Sequence, residues 1–282
     1  MSAVSQVRPS PIAGTWYDGN PQALALAVDG YISAARLPEL PGEVLAVIAP
    51  HAGHRYSGAV AGYAFAAVKG SSPARVVVLA PMHHLYPYEF ITTAHAAYAT
   101  PLGEIPVDRA FINDLDQNLK ARLGYGLNAV ANDPEHSLEI ELPFLQRALV
   151  SNFSIGPVML RQQARGSARH MGEALAETVA GRPALLVASS DLSHFHNQAA
   201  AMALDASMLA QVEAFSPDGI FDLEEKGGGE ACGYAALAAV LWAAKALGAD
   251  TVRLLNYATS GDVTGDYQRV VGYGAAVVLK TR

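Results

Sequence analysis

Basic runs, cysteines and long apolar segments are what this sequence lacks. Its 282 residues carry 19 Lys and Arg against 26 Asp and Glu, a formal charge of −7, with no adjacent pair of basic residues. The nearest approach to a basic stripe, Arg161, Arg165 and Arg169, has helical spacing and reads as a solvated helix face, so no nucleic-acid partner is expected. With one cysteine, Cys232, an intrachain disulfide and a CxxC zinc or iron–sulfur motif are both excluded. The longest uncharged apolar stretch, Ala231 to Ala244, is 14 residues, short of the ~20 needed to span a bilayer. The opening "MSAVSQVRPSPIAGTWY" has no apolar signal core, so a cytoplasmic protein without membrane contact is expected. No Walker A motif and no GxGxxG after a strand are present to cradle phosphates. GxSxG is absent as well, which counts against Ser189 or Ser190 as a hydrolase nucleophile.

What is present is apolar and ordered. A chain that is 51% hydrophobic and 16% charged can bury a substantial core. Runs rich in β-branched residues predict buried strands at 44–50, 75–81, 155–160, 184–190, 252–258 and 270–279. Most show no polar alternation, as strands covered on both faces do. Apolar residues at three-to-four spacing predict helices at 21–37, 57–70, 168–181, 198–215 and 232–248. The alternation defines an α/β fold, a central, largely parallel or mixed sheet with helices on both faces. No linker, repeat or low-complexity tract interrupts it, so residues 1–282 read as one domain.

Three strands end alike: "VLAVI" runs into "APHAGHRYSG", "RVVVL" into "APMHHLY" and "ALLVA" into "SSDLSHFH". Of the nine histidines, His51, His54, His83, His84, His194 and His196 fall in these turns. One histidine after a strand reads as a loop residue bonded to backbone. Three such strand ends read as a shared crevice, because sites in open α/β sheets form beyond the carboxyl ends of the strands. Neutral imidazole is the commonest metal ligand, so a metal suits the cluster. Within each turn one histidine is expected to do chemistry, leaving His54, His84 and His196 to the pocket wall or the nearby surface. Two candidates stand for a third ligand. Cys232 is expected to open a helix, whose backbone amides and dipole would favour the thiolate. Glu230 would instead complete a two-His-one-carboxylate set suited to Fe(II). A lone cysteine also reads as a small buried hydrophobe, a reading weakened by the glycines at 227–229 that let backbone approach closely. Asp191, three residues before His194, is placed to orient that imidazole as a general base. In "DPEHSLEIELPFLQ", Glu135 and His136 sit at a pocket edge or, equally, at a helix start capped by Ser137 with Glu139 and Glu141 in its first turn.

Taken in order, "IAGTWYDGNPQAL", "VIAPHAGHRYSGAVAGYAF", "VVLAPMHHLY", "ATPLGEIPVD", "EHSLEIELPFLQ", "ASSDLSHF", "ACGYAAL" and "NYATSGDVTGDYQRVVGYGAAVV" run almost end to end. With them the chain resembles the MEMO family, also called AmmeMemoRadiSam system protein B, which is similar in fold to the class III extradiol ring-cleaving dioxygenases. The resemblance implies metal ligands at His51, His83 and Cys232, with His194 at the position of the dioxygenases' catalytic base and Asp191 beside it. Position 54 is His where the family often has an aromatic, which implies a more polar pocket wall. Cys232 stands where the ring-cleaving enzymes use a carboxylate, and a thiolate donates more charge to iron and favours copper(I). The implied function is a non-haem metal redox enzyme, with Fe(II) or else copper or zinc, acting on a small aromatic substrate. Pocket residues around it would include His54, His84, Glu135, His136 and His196. Two other readings stay open at this point: a thiol hydrolase using Cys232 with His194, and a module that binds metal or phosphopeptides without turnover. The last would serve protein or peptide partners of the AmmeMemoRadiSam system.

Overall fold

The β-branched runs become strands because their side chains are apolar on both faces and must be covered on both. A computed structural model describes residues 6–182 and 184–281. Its elements begin β1 (Val7–Arg8), α1 (Pro21–Ala34), β2 (Glu43–Ala49), α2 (His54–Ala66), β3 (Arg75–Pro81), β4 (Phe90–Thr93), β5 (Ala97–Thr100) and β6 (Gly103–Pro106). Then come α3 (Arg109–Leu123), β7 (Asn128–Val130), a 3-10 turn (Glu139–Glu141), α4 (Leu142–Ala148), β8 (Ser154–Leu160), α5 (Arg165–Val179), β9 (Leu185–Ser189) and β10 (His194–His196). The chain continues with α6 (Gln198–Glu213), α7 (Pro217–Lys226), α8 (Tyr234–Ala246), β11 (Thr251–Thr259), α9 (Gly261–Thr264) and β12 (Val270–Lys280).

Nine strands form the main sheet, in the order β10-β12-β2-β9-β3-β8-β4-β7, with β11 also paired to β12. Its centre, β2-β9-β3-β8, is parallel. The flanks are mixed: β12 runs antiparallel to β2, and β4 antiparallel to β8. In β3 every residue from Val76 to Pro81 is buried, which accounts for the absence of alternation in the sequence. Helix α8 packs on β2, β9 and β3 with α5 behind it, while α2 packs on β2, β11 and β12 together with α1 and α4. Ala235 to Ala244 of α8 are all buried, so the longest apolar stretch is a core helix. Among the described residues no helix is long and apolar enough to cross a membrane.

Each strand and helix read from the sequence is present, with ends shifted by a few residues. The additions are α3, α7, α9 and the short strands. Of these, β1, β5 and β6 pair into a separate three-stranded sheet; at two to four residues each, they are too short to carry a hydrophobic period. One cap is corrected. Ser137 does not cap a helix: its hydroxyl donates to the carbonyl of Pro81 at 2.6 Å, and the 3-10 turn has no side-chain cap.

A buried cation anchors this region. Arg8, 1% exposed, pairs with Asp133 at 2.8 Å and with Glu139, and donates to the carbonyls of Asp133 and Glu135. Tyr17 and Ser10 also donate to Glu139. Segment 133–141 is thereby fixed to the chain's first strand. Arg8→Met leaves two buried carboxylates without their cation, and such losses cost about 3–5 kcal/mol. Chemical denaturation of this variant is expected to show a drop of that order, against a small change for the exposed pair partner Arg147→Met.

Candidate functional site

Parallel strands β2, β3 and β9 end side by side, so the turns that follow them meet. A cavity of about 680 Å³ opens there, lined in part by His51, His83, His136, Asp191 and His194 and walled by Trp16, Tyr56, Phe195 and Tyr273. Ring nitrogens of His51, His83 and His136 all lie within 4.8 Å of one another. The rings of His83 and His136 stack at 4.9 Å between centroids, and the Trp16 ring lies tilted against His136 at 4.0 Å. His51 meets both imidazoles edge-on.

In four imidazoles Nδ1 is tied back to the protein, which turns Nε2 outward. His51 Nδ1 lies 2.9 Å from the Ser189 hydroxyl. That hydroxyl donates to the carbonyl of Ser137 at 2.6 Å and lies 2.8 Å from Glu141. His83 Nδ1 donates to Glu135 at 2.9 Å, and His136 Nδ1 lies 3.2 Å from the same oxygen. His194 Nδ1 donates to the carbonyl of Leu192 at 2.8 Å. A carbonyl only accepts, so Nδ1 of His194 carries the hydrogen and Nε2 keeps its lone pair. Ligating imidazoles are commonly supported through their other nitrogen in this way.

Electrostatics favour the neutral form of three of these imidazoles, His51, His136 and His194. Burial, reinforced by the neighbouring imidazoles, holds His51 well below the ordinary histidine range. Burial also lowers His136 to about 4, against the pull of Glu135, and it lowers His194. For Glu135 burial would raise the carboxyl, but His83 and the backbone amide of Ser137 outweigh it and hold the group well below its ordinary value. Its two oxygens accept from His83 Nδ1, the His83 amide, the His136 amide and the Ser137 amide. Glu135 is thus a fixed anion beneath two imidazoles.

Cys232 precedes α8 rather than opening it, since the helix starts at Tyr234. Gly233 explains its position: a Cβ there would lie 2.5 Å from the Ser189 carbonyl, so only glycine lets this segment touch the end of β9. Sγ of Cys232 sits 3.0 Å from Nε2 of His51. Burial, together with Asp191, pushes the thiol well above its ordinary value, opposite to the thiolate expected of a helix start. Two ligands of one ion, at ~2.0 Å for nitrogen and ~2.3 Å for sulfur, stand ~3.0–3.5 Å apart. The Cys232–His51 pair matches that spacing. The three-imidazole set of His51, His83 and His136 therefore fits a transition metal, each ring held through Nδ1, while the Cys232 sulfur lies outside that set as the hydrogen-bond partner of His51 Nε2.

Several expectations are revised by the structure. Asp191 does not orient His194; its Oδ1 accepts from the amides of His51 and Ala52 at 2.7 and 3.2 Å, fixing the turn after β2, and burial raises its carboxyl to about 7. His54 does not line the cavity. It is 5% exposed, donates from Nε2 to the Ile140 carbonyl at 3.0 Å and packs between Tyr17 and Phe144, where burial lowers it to about 4. His84 is exposed outside the cavity lining. His196 and Glu230 hold each other at 2.9 Å, also away from the lining. Ser189 and Ser190 are buried and bonded inward. No hydrogen bond among the described residues joins Cys232 to His194, so a hydrolase triad is not assembled. Conversely, sequence reasoning placed His136 at a pocket edge and did not rank it as a ligand. The signal available for it was Glu135 beside it.

Phe195 is a further site residue that the sequence does not mark. It lies between His194 and His196, where pairing with β12 shifts register, and has φ +63°. Left-handed backbone costs a bulky residue about 1–2 kcal/mol.

Fold and site together define a class: an α/β protein with a metal-competent imidazole cluster at the carboxyl ends of its parallel strands. The chain belongs to the Memo-like protein family, whose model matches residues 8–277. It is similar to a MEMO1 family protein of Nitrosopumilus maritimus, 33% identical over 273 residues that cover 95% of this chain and 98% of the relative. A MEMO1 family protein of Methanopyrus kandleri is 34% identical over 280 residues, 96% of this chain and 98% of the relative.

The depressed histidines have a measurable consequence. Between pH 6.5 and about 4 the unfolded chain takes up a proton at His54 that the folded protein refuses. Stability from this group is therefore full above pH 6.5 and lost as pH falls towards 4, at about 1.4 kcal/mol per unit of difference. Denaturation of His54→Phe across this window is expected to show a shallower loss than the parent. Identical slopes would contradict the assignment.

Proposed function

We propose that the crevice is the active site of a metal-dependent oxidoreductase of the dioxygenase type, taking Fe(II), with copper and zinc as competitors, and acting on a small aromatic substrate. The observation that carries this reading is the convergence of three supported imidazoles within 4.8 Å of one another in the lining of an aromatic-walled cavity. His51 and His83 hold the metal, and Cys232 completes the set through the sulfur beside His51. The metal supplies redox and Lewis-acid chemistry towards O₂ and a phenolic substrate. Around it, Glu135 fixes the His83 ring, and Trp16, Tyr56 and Tyr273 shield the substrate from water. His194, neutral and with Nε2 free, takes the phenolic proton.

A second reading rests on His136. With Cys232 kept as a thiol, His51, His83 and His136 form a three-imidazole set of the kind that suits zinc, with a hydrated ion as the working group.

Metal content and spectra separate the two. Protein loaded anaerobically is expected to lose stoichiometric iron in His51→Ala and in His83→Ala, and Glu135→Gln is expected to lower affinity about 10–100-fold. If Cys232 ligates, the cobalt-loaded protein shows a near-ultraviolet sulfur-to-metal charge-transfer band that Cys232→Ser abolishes. Loss of metal in His136→Ala with retention in Cys232→Ser supports the second reading. His194→Gln is expected to keep the metal while slowing turnover about 10²–10⁴-fold. Full iron loading with no O₂ uptake across catechol-type substrates would overturn the oxidoreductase.

A further inference from the structure

We propose that this cavity selects an aromatic molecule bearing a carboxylate, and that Arg269 reads the carboxylate at the rim. The proposal rests on the crevice being a substrate site, and it adds the chemical class of the substrate.

Three observations carry it. First, Phe195 is 61% exposed and is held at φ +63° in a bulge beside His194. A large apolar ring kept in solvent on strained backbone needs a partner to justify it. Second, the guanidinium of Arg269 lies over that ring, 5.2 Å from its centroid, and both residues line the cavity. Third, Arg269 has no carboxylate partner among the described residues, a lack it shares with Arg36, Arg55, Arg109, Arg161 and Arg253, but it is the one of these six that lines the cavity. Arginine stacked face-on keeps its N–H fork free at the edge, the geometry that takes a carboxylate through two parallel hydrogen bonds.

The other charges nearby do not take that role. Asp266 lines the same cavity but accepts from the Gln268 amide within its own turn, and Asp191 is held by the amides of His51 and Ala52. Arg55 rests on the ring of Tyr56, so a second wall residue also carries a cation on its face. The ring of the ligand then lies among Trp16, Tyr56 and Tyr273, with Phe195 and Arg269 closing on its charged end. At about 680 Å³ the cavity is in the size range of sites for small molecules.

Calorimetry on the metal-free full chain tests this without contribution from coordination. The probes are 3,4-dihydroxybenzoate and its neutral amide. The acid is expected to bind about tenfold more tightly than the amide, as a charge-assisted pair predicts. Arg269→Met is expected to bring the acid to the level of the amide and leave the amide unchanged, with Arg269→Lys between the two because it keeps charge without the fork. Equal binding of acid and amide by the parent, an unchanged ratio in Arg269→Met, or no binding of the acid at millimolar concentration would overturn the proposal. So would phenyl phosphate binding more tightly than the acid through the same arginine, which would assign the rim to phosphoryl groups. Because no metal is present, failure here leaves the ligand assignment standing, and loss of iron binding in His51→Ala leaves this result standing.

Discussion

The buried guanidinium of Arg8 is the constraint on which the site depends. It gathers Asp133, Glu139 and two carbonyls of the 133–141 segment around one positive charge. That segment has little regular structure of its own beyond a single 3-10 turn. Without a cation at its centre, the carboxylates of Asp133 and Glu139 would have to share a dry interior, at a cost of several kcal/mol. With it, Glu135 is delivered under His83 and His136 as a fixed anion, and the two rings stack. The crevice is therefore built from two sources. Sheet geometry places His51, His83 and His194, while a buried ion network at the other end of the segment places His136.

This division decides what could be read from the sequence. Strand ends are legible because an apolar run that stops at a histidine states both the element and the position. His51, His83 and His194 were accessible on that ground, and so was the parallel centre of the sheet. His136 follows no strand, and its place depends on Arg8, 128 residues earlier, whose burial no local pattern announces. The role given to Asp191 failed for a related reason. Spacing put it three residues from His194, but spacing carries no orientation, and the turn directs its oxygen to the amides after β2. His54 reads as polar wall in the sequence and is core in the fold, since the first turn of α2 faces Phe144. The protonation of Cys232 was not legible, because desolvation depends on neighbours distant in sequence, and the structure keeps it a thiol beside His51.

The crevice also shows how a protein stores His51, His136 and His194 uncharged. Four rings crowd together, and each would repel the others if protonated. Burial and mutual proximity therefore act in the same direction, holding His51, His136 and His194 below their ordinary range. The negative charge held against His83 and His136, on Glu135, is spent on N–H groups facing away from the crevice. Lone pairs thus face inward and protons outward, as a cation receptor requires.

The position of β12 has a consequence for biosynthesis. β2 sits between β9 and β12, so one edge of this central strand is covered only by residues 270–280. During translation the segment Glu43–Ala49 therefore waits, edge open and apolar, until more than two hundred further residues have left the ribosome. Such an edge invites pairing with a neighbouring nascent chain. A chaperone that shields the young chain would matter most over that interval, and premature stop codons anywhere before β12 would yield sticky fragments rather than inert ones.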